Sequence, residues 1–316
     1  MANQTDPPLS TVYDVVIVGG GPAGLSAALV LGRCRRQVLV CDSGTPRNAA
    51  SRGLHGYLTR DGVAPLEFLR LAREELRQYG IEPRVATVTA IACTREGFTL
   101  TLDGGETIGA RTVLLATGVT DRLPDVPGID ECYGITVHHC PYCDGWEVRD
   151  RRLVVLGQSV SAAGLALSLK TWSRDVAICT NGPARINPRQ RRQLEEQQVR
   201  IHESRIEQVD HVSGHVQRLL LASGTVLPCD AIFFSTGQQP KSDIPRQLGC
   251  QLTRKGVVKT DHLGKTAVPG LYVAGDASRD VQFVIVAAAE GAKAAVAINK
   301  SLQALSGHAM DAVLAS

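Results

Sequence analysis

Aromatic side chains are scarce in this chain: 2 Trp, 6 Tyr and 5 Phe make up 4% of its 316 residues. Readers of single-stranded nucleic acid stack bases on such rings, so that class is disfavoured, and Ala, Val, Leu and Ile must fill the core. Charge of one sign is lacking as well. The 34 basic and 31 acidic side chains leave +3, too little for the basic footprint that a phosphate backbone demands. The densest basic stretch, Arg189 to Arg192, runs into Glu195 and Glu196 and reads as a solvated helix face. Long apolar runs are missing too. Phe283 to Ala289 stops at Glu290, short of the roughly 18 residues that span a bilayer. The opening MANQTDPPLS has neither a basic start nor an apolar core, so no secretory leader is expected and the cytoplasm is the expected compartment.

Spaced cysteines are nearly absent. Seven of the nine (Cys34, Cys41, Cys93, Cys132, Cys179, Cys229 and Cys250) stand alone, as core thiols of a reducing compartment do. Only Cys140 and Cys143 form a pair. What is abundant is apolar aliphatic sequence, at 44% apolar and 21% charged residues, and a chain of this length is expected to make about two domains.

Organisation follows from glycine. YDVVIV (Tyr13 to Val18) is a continuous apolar run suited to a strand buried on both faces. Gly19-Gly20-Gly21-Pro22-Ala23-Gly24, a helical stretch to about Arg33 and QVLVCD ending in Asp42 complete a βαβ unit. A basic, glycine-containing loop (44–62) and an amphipathic helix from Pro65 to about Tyr79 follow. Strands are expected at Val85 to Ala92, Phe98 to Leu102 and Arg111 to Ala116, the last closing on Thr117-Gly118. Linkers are read at 121–128 and 239–245. Between them the pattern repeats: LVVLG, a helix from Ser161 to Trp172, VAIC, and AIFF closing on Ser235-Thr236-Gly237. LYVAGD and an Ala-rich helix from about Ile285 to Leu302 finish the chain, with fraying expected after Gly307. The expected fold is therefore α/β, with two doubly wound Rossmann-like dinucleotide-binding domains, the second (123–243) inserted into the first (1–122 and 244–316).

Gly19-x-Gly21-x-x-Gly24 lies between a strand and a helix with an acid downstream, the context the dinucleotide fingerprint requires. The first glycine permits the turn, the second lets backbone touch a pyrophosphate, and the third lets helix and strand pack, while Asp42 accepts a ribose hydroxyl. With Thr117-Gly118 and VAGDAS, the GGGPAGLSAA stretch resembles FAD-binding disulfide reductases. That resemblance implies that Pro22 and Ala23 line the cofactor loop. It also implies that Asp276 of the Gly275-Asp276 pair bonds the ribityl chain, and that the following helix points its positive end at the flavin.

His139-Cys140-Pro141-Tyr142-Cys143-Asp144-Gly145-Trp146 carries the second signal. Two thiols this close form a small disulfide ring, and a thiol at a helix start titrates at about 3.5–7.5 instead of 8.5. A thiolate attacks disulfides and flavins. Asp144 either caps and solvates or acts as general acid–base. Zinc is the competing reading, and His138 and His139 stand close by, yet no second CxxC supplies the remaining ligands of a four-coordinate site, so no metal is expected.

FAD loop, linker, C-x-x-C-D-G, second glycine turn, linker and A-G-D before a helix together resemble low-molecular-weight thioredoxin reductase from about Tyr13 to Leu302. The resemblance implies one tightly held FAD, Cys143 facing the flavin, Cys140 exchanging with substrate, and Asp144 as proton donor. It also implies a homodimer and a rotating nucleotide domain. Arg47, Asn48 and His55 would approach the flavin or its adenosine arm, unless they form a plain surface loop.

The sequence departs from that family at the second turn. Gly157-Gln158-Ser159-Val160-Ser161-Ala162 has Ser159 where backbone should lie bare, and Thr180-Asn181-Gly182-Pro183-Ala184-Arg185 lacks the arginines that hold a 2′-phosphate. Losing two charged hydrogen bonds, about 1.5–3 kcal/mol each, weakens NADPH about 10²–10⁴-fold. Arg185, one position off, is a partial substitute. Gln282-Phe283 stand where the family has an Arg-Gln pair near the flavin. Phe283, Tyr142 and Trp146 either pack the core or stack a flat ring. The pattern resembles branches that do without pyridine nucleotide: diflavin-linked enzymes carrying a second FAD, ferredoxin-linked reductases, and dithiol oxidases acting on small metabolites.

The expected activity is thus an FAD-dependent disulfide/dithiol oxidoreductase acting on a thiol or disulfide of a small protein or small molecule, without NADPH. The alternatives are an NADPH-dependent thioredoxin reductase and a flavin-bound redox sensor without turnover.

Overall fold

A computed structural model describes residues 11–253, 256–278 and 281–314, with side chains to residue 305. The N-terminal arm read from the sequence lies outside them. The chain forms two compact units, one of residues 1–47, 66–120 and 239–316, the other of 48–65 and 121–238. In chain order the second interrupts the first. Residues 48–65, which the sequence placed with the first domain, cluster with the second.

In chain order, β1 (Val12–Val18), α1 (Pro22–Arg33), β2 (Val38–Asp42), α2 (Pro65–Arg77), β3 (Arg84–Val85), β4 (Val88–Cys93), β5 (Phe98–Leu102) and β6 (Thr107–Leu115) precede the crossing strand β7 (Val119–Asp121). The second unit holds β8 (Val137–His138), α3 (Pro141–Asp144), β9 (Leu153–Leu156), α4 (Val160–Leu169), β10 (Val176–Cys179) and α5 (Pro188–Glu196). It continues with β11 (Arg200–His202), β12 (Ile206–Val212), β13 (His215–Leu221), β14 (Val226–Pro228) and β15 (Ala231–Phe234). β16 (Gln238–Pro240) returns the chain to α6 (Ile244–Gln247), β17 (Leu271–Val273) and α7 (Val284–Leu314).

The first unit's sheet runs β3-β2-β1-β6-β5-β4, with β17 also pairing β6. β1 lies parallel to β2 and β6, Val16 standing opposite Leu39 and Val113. Val15, Val16, Ile17 and Val18 are buried on both faces, which is why that part of the run is continuous rather than alternating. β6 starts four residues before the expected Arg111, because Thr107–Ala110 pairs antiparallel with β5 while its second half pairs β17. The amphipathic helix α2 buries Leu69 and Leu76, seven residues apart, and turns Glu67, Arg70 and Glu74 outward as ion pairs. Truncating one such buried leucine to alanine costs about 2–5 kcal/mol.

α1 and α7 pack through small residues. A Cβ on Gly291 would lie 1.9 Å from the Ala23 carbonyl oxygen, so α7 can approach the start of α1 only as glycine. α7 buries Ala287, Ala294, Ala295, Ile298 and Leu302 along one face and continues to Leu314, past the end expected near Leu302 and the fraying expected after Gly307.

The second unit's parallel sheet runs β11-β10-β9-β15-β8, with a separate antiparallel sheet β12-β13-β14. Thr136 ties the two together: its hydroxyl donates to the Gly214 carbonyl (2.7 Å) and accepts the Val216 N–H (3.1 Å). Among the described residues no helix is long and apolar enough to cross a membrane.

Candidate redox site

The first unit presents a glycine loop. Gly19, at φ +113°, lies against the end of β6, where a Cβ would fall 2.3 Å from the Ala116 carbonyl oxygen. Gly24 packs onto Gly19 in the same way, at 1.9 Å. Gly20, which the fingerprint spacing does not single out, sits against the Asp42 carboxylate, 2.6 Å from where its Cβ would be. Gly21 differs: a Cβ there would meet nothing within 4 Å, so the protein's own packing does not require glycine at this position. It is the N-cap of α1, with Pro22 first in the helix and no side chain capping that end. Asp42, at the end of β2, takes a hydrogen bond from Arg73 (2.8 Å) and one from the Gly44 N–H (3.3 Å). Thr117 and Gly118, the latter at φ +69°, follow β6 beside this loop.

At the far end of the same unit, Gly275 (φ +78°) donates its N–H to Glu290 of α7 at 2.8 Å. Asp276 is paired with Arg47 at 2.8 Å, and the same guanidinium nitrogen donates to Gln282 at 2.8 Å. Arg47 therefore reaches the glycine–aspartate turn from the loop after β2, a junction that no sequence spacing announces. Phe283, just before α7, is half-buried. Asn48 and His55 fall in the second unit, where His55 lies 3.6 Å from both Asp61 and Glu147.

The second unit holds the spaced cysteine pair. Cys140 and Cys143 are joined as a disulfide. Cys140 is the N-cap of the one-turn helix α3, and its Sγ accepts the Cys143 N–H at 3.2 Å. The thiol at the helix start is the first of the pair, because Pro141, suited to the first helical position, follows it. The N–H aimed at Cys140 Sγ favours negative charge on that sulfur once the pair is reduced. A Cβ on Gly145 would lie 2.8 Å from the Trp172 ring, so glycine lets α3 rest on that ring. Tyr142 meets Trp172 edge-on with centroids 5.4 Å apart, and Arg149 covers Trp146 at 4.1 Å. Tyr142 and Trp146 remain 68% and 64% exposed, so neither is a core residue.

His138, which ends strand β8, and His139, which follows it, were weighed from the sequence only as zinc ligands. In register with Phe233 of β15, the buried His138 ring lies 5.5 Å from that phenyl ring, and its Nδ1 stands 3.3 Å from Asp144 Oδ1. His139 Nδ1 lies 3.8 Å from Asp121, a carboxylate only 3% exposed that also accepts from Tyr133 (2.9 Å) and Gln238 (3.0 Å). Both histidines thus face carboxylates, and among the described residues no three His, Cys, Asp or Glu side chains are grouped to hold a metal.

Of the seven solitary thiols, Cys34 and Cys93 are exposed rather than in the core, and the other five are buried. Burial pushes Cys41 and Cys132 up to about 11, and Cys179 and Cys229 up to about 12, which leaves them protonated and unreactive near neutrality.

These features have relatives. A family profile for pyridine nucleotide-disulphide oxidoreductases matches residues 13–291. The chain belongs to that family, in its group similar to low-molecular-weight thioredoxin reductases. It is 30% identical to thioredoxin reductase aclD of Aspergillus oryzae over 310 residues, covering 92% of this chain and 96% of that one. Among solved structures, HlmI matches with 37% identity and a TM-score of 0.91, covering 96% of each chain. An oxidoreductase from Agrobacterium tumefaciens matches with 33% identity and a TM-score of 0.85, covering 92% of this chain and 98% of that one.

Family membership makes this an oxidoreductase and implies FAD. The first loop fits such a group: Gly21 leaves open the space a pyrophosphate needs, Gly20 and Asp42 are in contact, and the start of α1 is uncapped.

The second glycine turn, between β9 and α4, has different side-chain contacts. Gly157 (φ +158°) packs against Ala162. Ser159 fills the second glycine position, its hydroxyl 2.7 Å from that of Ser161, which in turn accepts from Ser235 at 2.7 Å. Gln158 reaches across to the Asn181 carbonyl at 3.3 Å, and its own carbonyl takes the Arg185 N–H at 2.7 Å. The Arg185 side chain is exposed, and Arg191 is paired with Glu203 at 2.9 Å.

Proposed function

We propose that the chain is an FAD-dependent disulfide/dithiol oxidoreductase in which Cys140 and Cys143 exchange two electrons with a thiol or disulfide substrate, and that NADPH is not its ordinary electron donor. The observation that carries the second half is the β9–α4 turn. There Ser159 and Gln158 use the nucleotide crevice for the protein's own hydrogen bonds, and the loop after β10 brings no cluster of cations to a 2′-phosphate.

In this reading Gly19, Gly21, Pro22, Ala23, Gly24 and Asp42 hold the FAD pyrophosphate and adenosine ribose. Thr117, Gly118, Gly275 and Asp276 serve the flavin half, with Phe283 beside it and Arg47 fixing Asp276. Bound there, FAD supplies an acceptor or donor for the two electrons. The protein's own chemistry is thiol exchange. A substrate thiolate attacks Cys140 Sγ, and the S–S electron pair departs on Cys143 Sγ, which takes a proton from Asp144. The substrate's second thiolate then attacks the mixed disulfide at the substrate sulfur and releases Cys140, which the Cys143 N–H stabilises as thiolate. Of the two protons the substrate thiols give up, one restores the proton Asp144 gave to Cys143 and the other goes to solvent. Substrate dithiol and protein disulfide thus become substrate disulfide and a reduced pair of Cys143 thiol and Cys140 thiolate; run backward, the same steps reduce a disulfide. A homodimer and a cytoplasmic setting belong to this reading.

The test is anaerobic reduction of the yellow holoprotein. Dithiothreitol is expected to bleach the flavin, and NADPH at millimolar concentration is expected to do so barely. Rapid bleaching by micromolar NADPH rejects the NADPH-independent half. Cys143→Ser is expected to keep FAD while abolishing dithiol oxidation; persistent turnover rejects the cysteine assignment. Extracted flavin is expected at one FAD per chain, and two would place a second flavin in the nucleotide unit.

A further inference from the structure

The family resemblance supplies Asp144 with a role but says nothing of what holds it. We propose that His138 is a positioning residue for the dithiol chemistry: its Nδ1 fixes the Asp144 carboxylate beside Cys143. The proposal rests on the reading of Cys140 and Cys143 as the exchanging pair.

The geometry is built from the sheet outward. β8 is only two residues long, and its pairing with β15 sets His138 opposite Phe233. The ring is 8% exposed and flanked by that phenyl ring, so it has little freedom to rotate. Its Nδ1 lies 3.3 Å from Asp144 Oδ1. An Nδ1–H donated to a carboxylate oxygen orients that carboxylate and keeps it close. When an incoming thiolate opens the disulfide, the S–S electron pair leaves on Cys143 Sγ and the proton on Asp144 converts that sulfur to a thiol. When the disulfide re-forms, the proton returns to the Asp144 oxygen. A carboxylate free to swing into water performs neither transfer well.

The ionisable neighbours are few. His139 with Asp121 lies on the adjoining chain, and Glu147 with His55 and Arg149 lie just beyond α3. β9, β15 and α4 carry no ionisable side chain.

Two polar variants separate positioning from packing. His138→Asn puts an amide N–H near the place of Nδ1, whereas His138→Gln puts it near Nε2 and withdraws the donor from Asp144. Each is made with Asp144 and with Asp144→Asn. The first readout is the pH midpoint for alkylation of Cys143 by iodoacetamide in the reduced protein, which needs no turnover. A nearby carboxylate disfavours a thiolate, so Asp144→Asn lowers the midpoint, His138→Gln lowers it in the same direction, and His138→Asn leaves it in place. The second is single-turnover oxidation of dithiothreitol by the holoprotein. His138→Gln is expected to slow it about tenfold or more, and to cost nothing further once Asp144 is Asn. An unchanged midpoint and rate in His138→Gln, or equal slowing in both backgrounds, overturns the proposal. Dithiol turnover surviving in Cys143→Ser would instead overturn the cysteine reading on which it stands.

Discussion

The two glycine turns of this chain were built to one plan and have diverged at the point where a ligand would touch them. In the first, Gly21 faces open space and the strand β2 ends in Asp42. In the second, Ser159 occupies the equivalent place and joins Ser161 and Ser235 in a hydroxyl chain, while β10 ends in Cys179 and is followed by Thr180. The first packing glycine survives in both, Gly19 against Ala116 and Gly157 against Ala162, and Ala162 stands at the place of Gly24. The two turns differ at the middle position, where Gly21 meets nothing within 4 Å and Ser159 makes a hydroxyl contact. The comparison separates glycines whose side chain would clash from one whose side chain would not.

The comparison breaks most visibly at these matched positions. Gly21→Val fills the open space over the cofactor loop. Overpacking costs of about 1–3 kcal/mol translate into roughly 10–100-fold weaker FAD binding, so the purified variant is expected to be pale while retaining its circular dichroism. Ser159→Val, at the matching place, is expected to leave the flavin content unchanged. Equal loss of flavin in both would show that the two turns are not functionally distinct. Gly24→Ala is expected to fail differently, by destabilising the fold, because its Cβ would lie 1.9 Å from the Gly19 carbonyl oxygen.

A smaller and constructive change sharpens the same contrast. Ser159→Gly with Asn181→Arg and Pro183→Arg restores bare backbone at the turn and adds cations after β10. One to two charge-assisted hydrogen bonds are worth about 1.5–3 kcal/mol each, so NADPH affinity is expected to rise about 10–10⁴-fold, read by titration against flavin bleaching. If the parent protein already binds NADPH at micromolar concentration, the second crevice is open after all, and Ser159 and Gln158 do not close it.

How much of this was legible beforehand follows from the range of each interaction. The strand Val15–Val18, the turn at Gly19 and the helix after it are local, and the residue run dictates them. So is the Cys140–Cys143 ring. The early start of β6 was not legible, because pairing with β5 across a tight turn decides it. Nor was the Arg47–Asp276 contact, whose partners are 229 residues apart. His138 and Asp144 are six residues apart in sequence, but only the pairing of β8 with β15 turns that ring toward the carboxylate. Gly20 and Gly291 were readable as glycines, though nothing in a single sequence says what they touch.

The subtlest contrast lies one residue before the divergence, where both turns keep a buried cysteine at the strand end: Cys41 on β2 and Cys179 on β10. Burial raises both thiols, to about 11 for Cys41, where Arg84 lowers it and Glu106 and Asp103 raise it, and to about 12 for Cys179, where burial acts alone. A thiol is neutral when protonated, so a folded value above the usual one, near 9, means that the folded state holds the proton more tightly. The associated stability is fully present below pH 9 and is lost as pH rises toward 12. Each buried thiol then removes up to about 1.4 kcal/mol per pH unit. Urea midpoints measured between pH 8 and 11 are expected to fall, and Cys179→Ala is expected to flatten that limb more than Cys41→Ala, after allowing for the constant cost of each cavity. An alkaline limb steeper for Cys179→Ala than for Cys41→Ala would mean that the second strand end is the wetter of the two, and that its crevice is open to solvent rather than closed by the protein's own side chains.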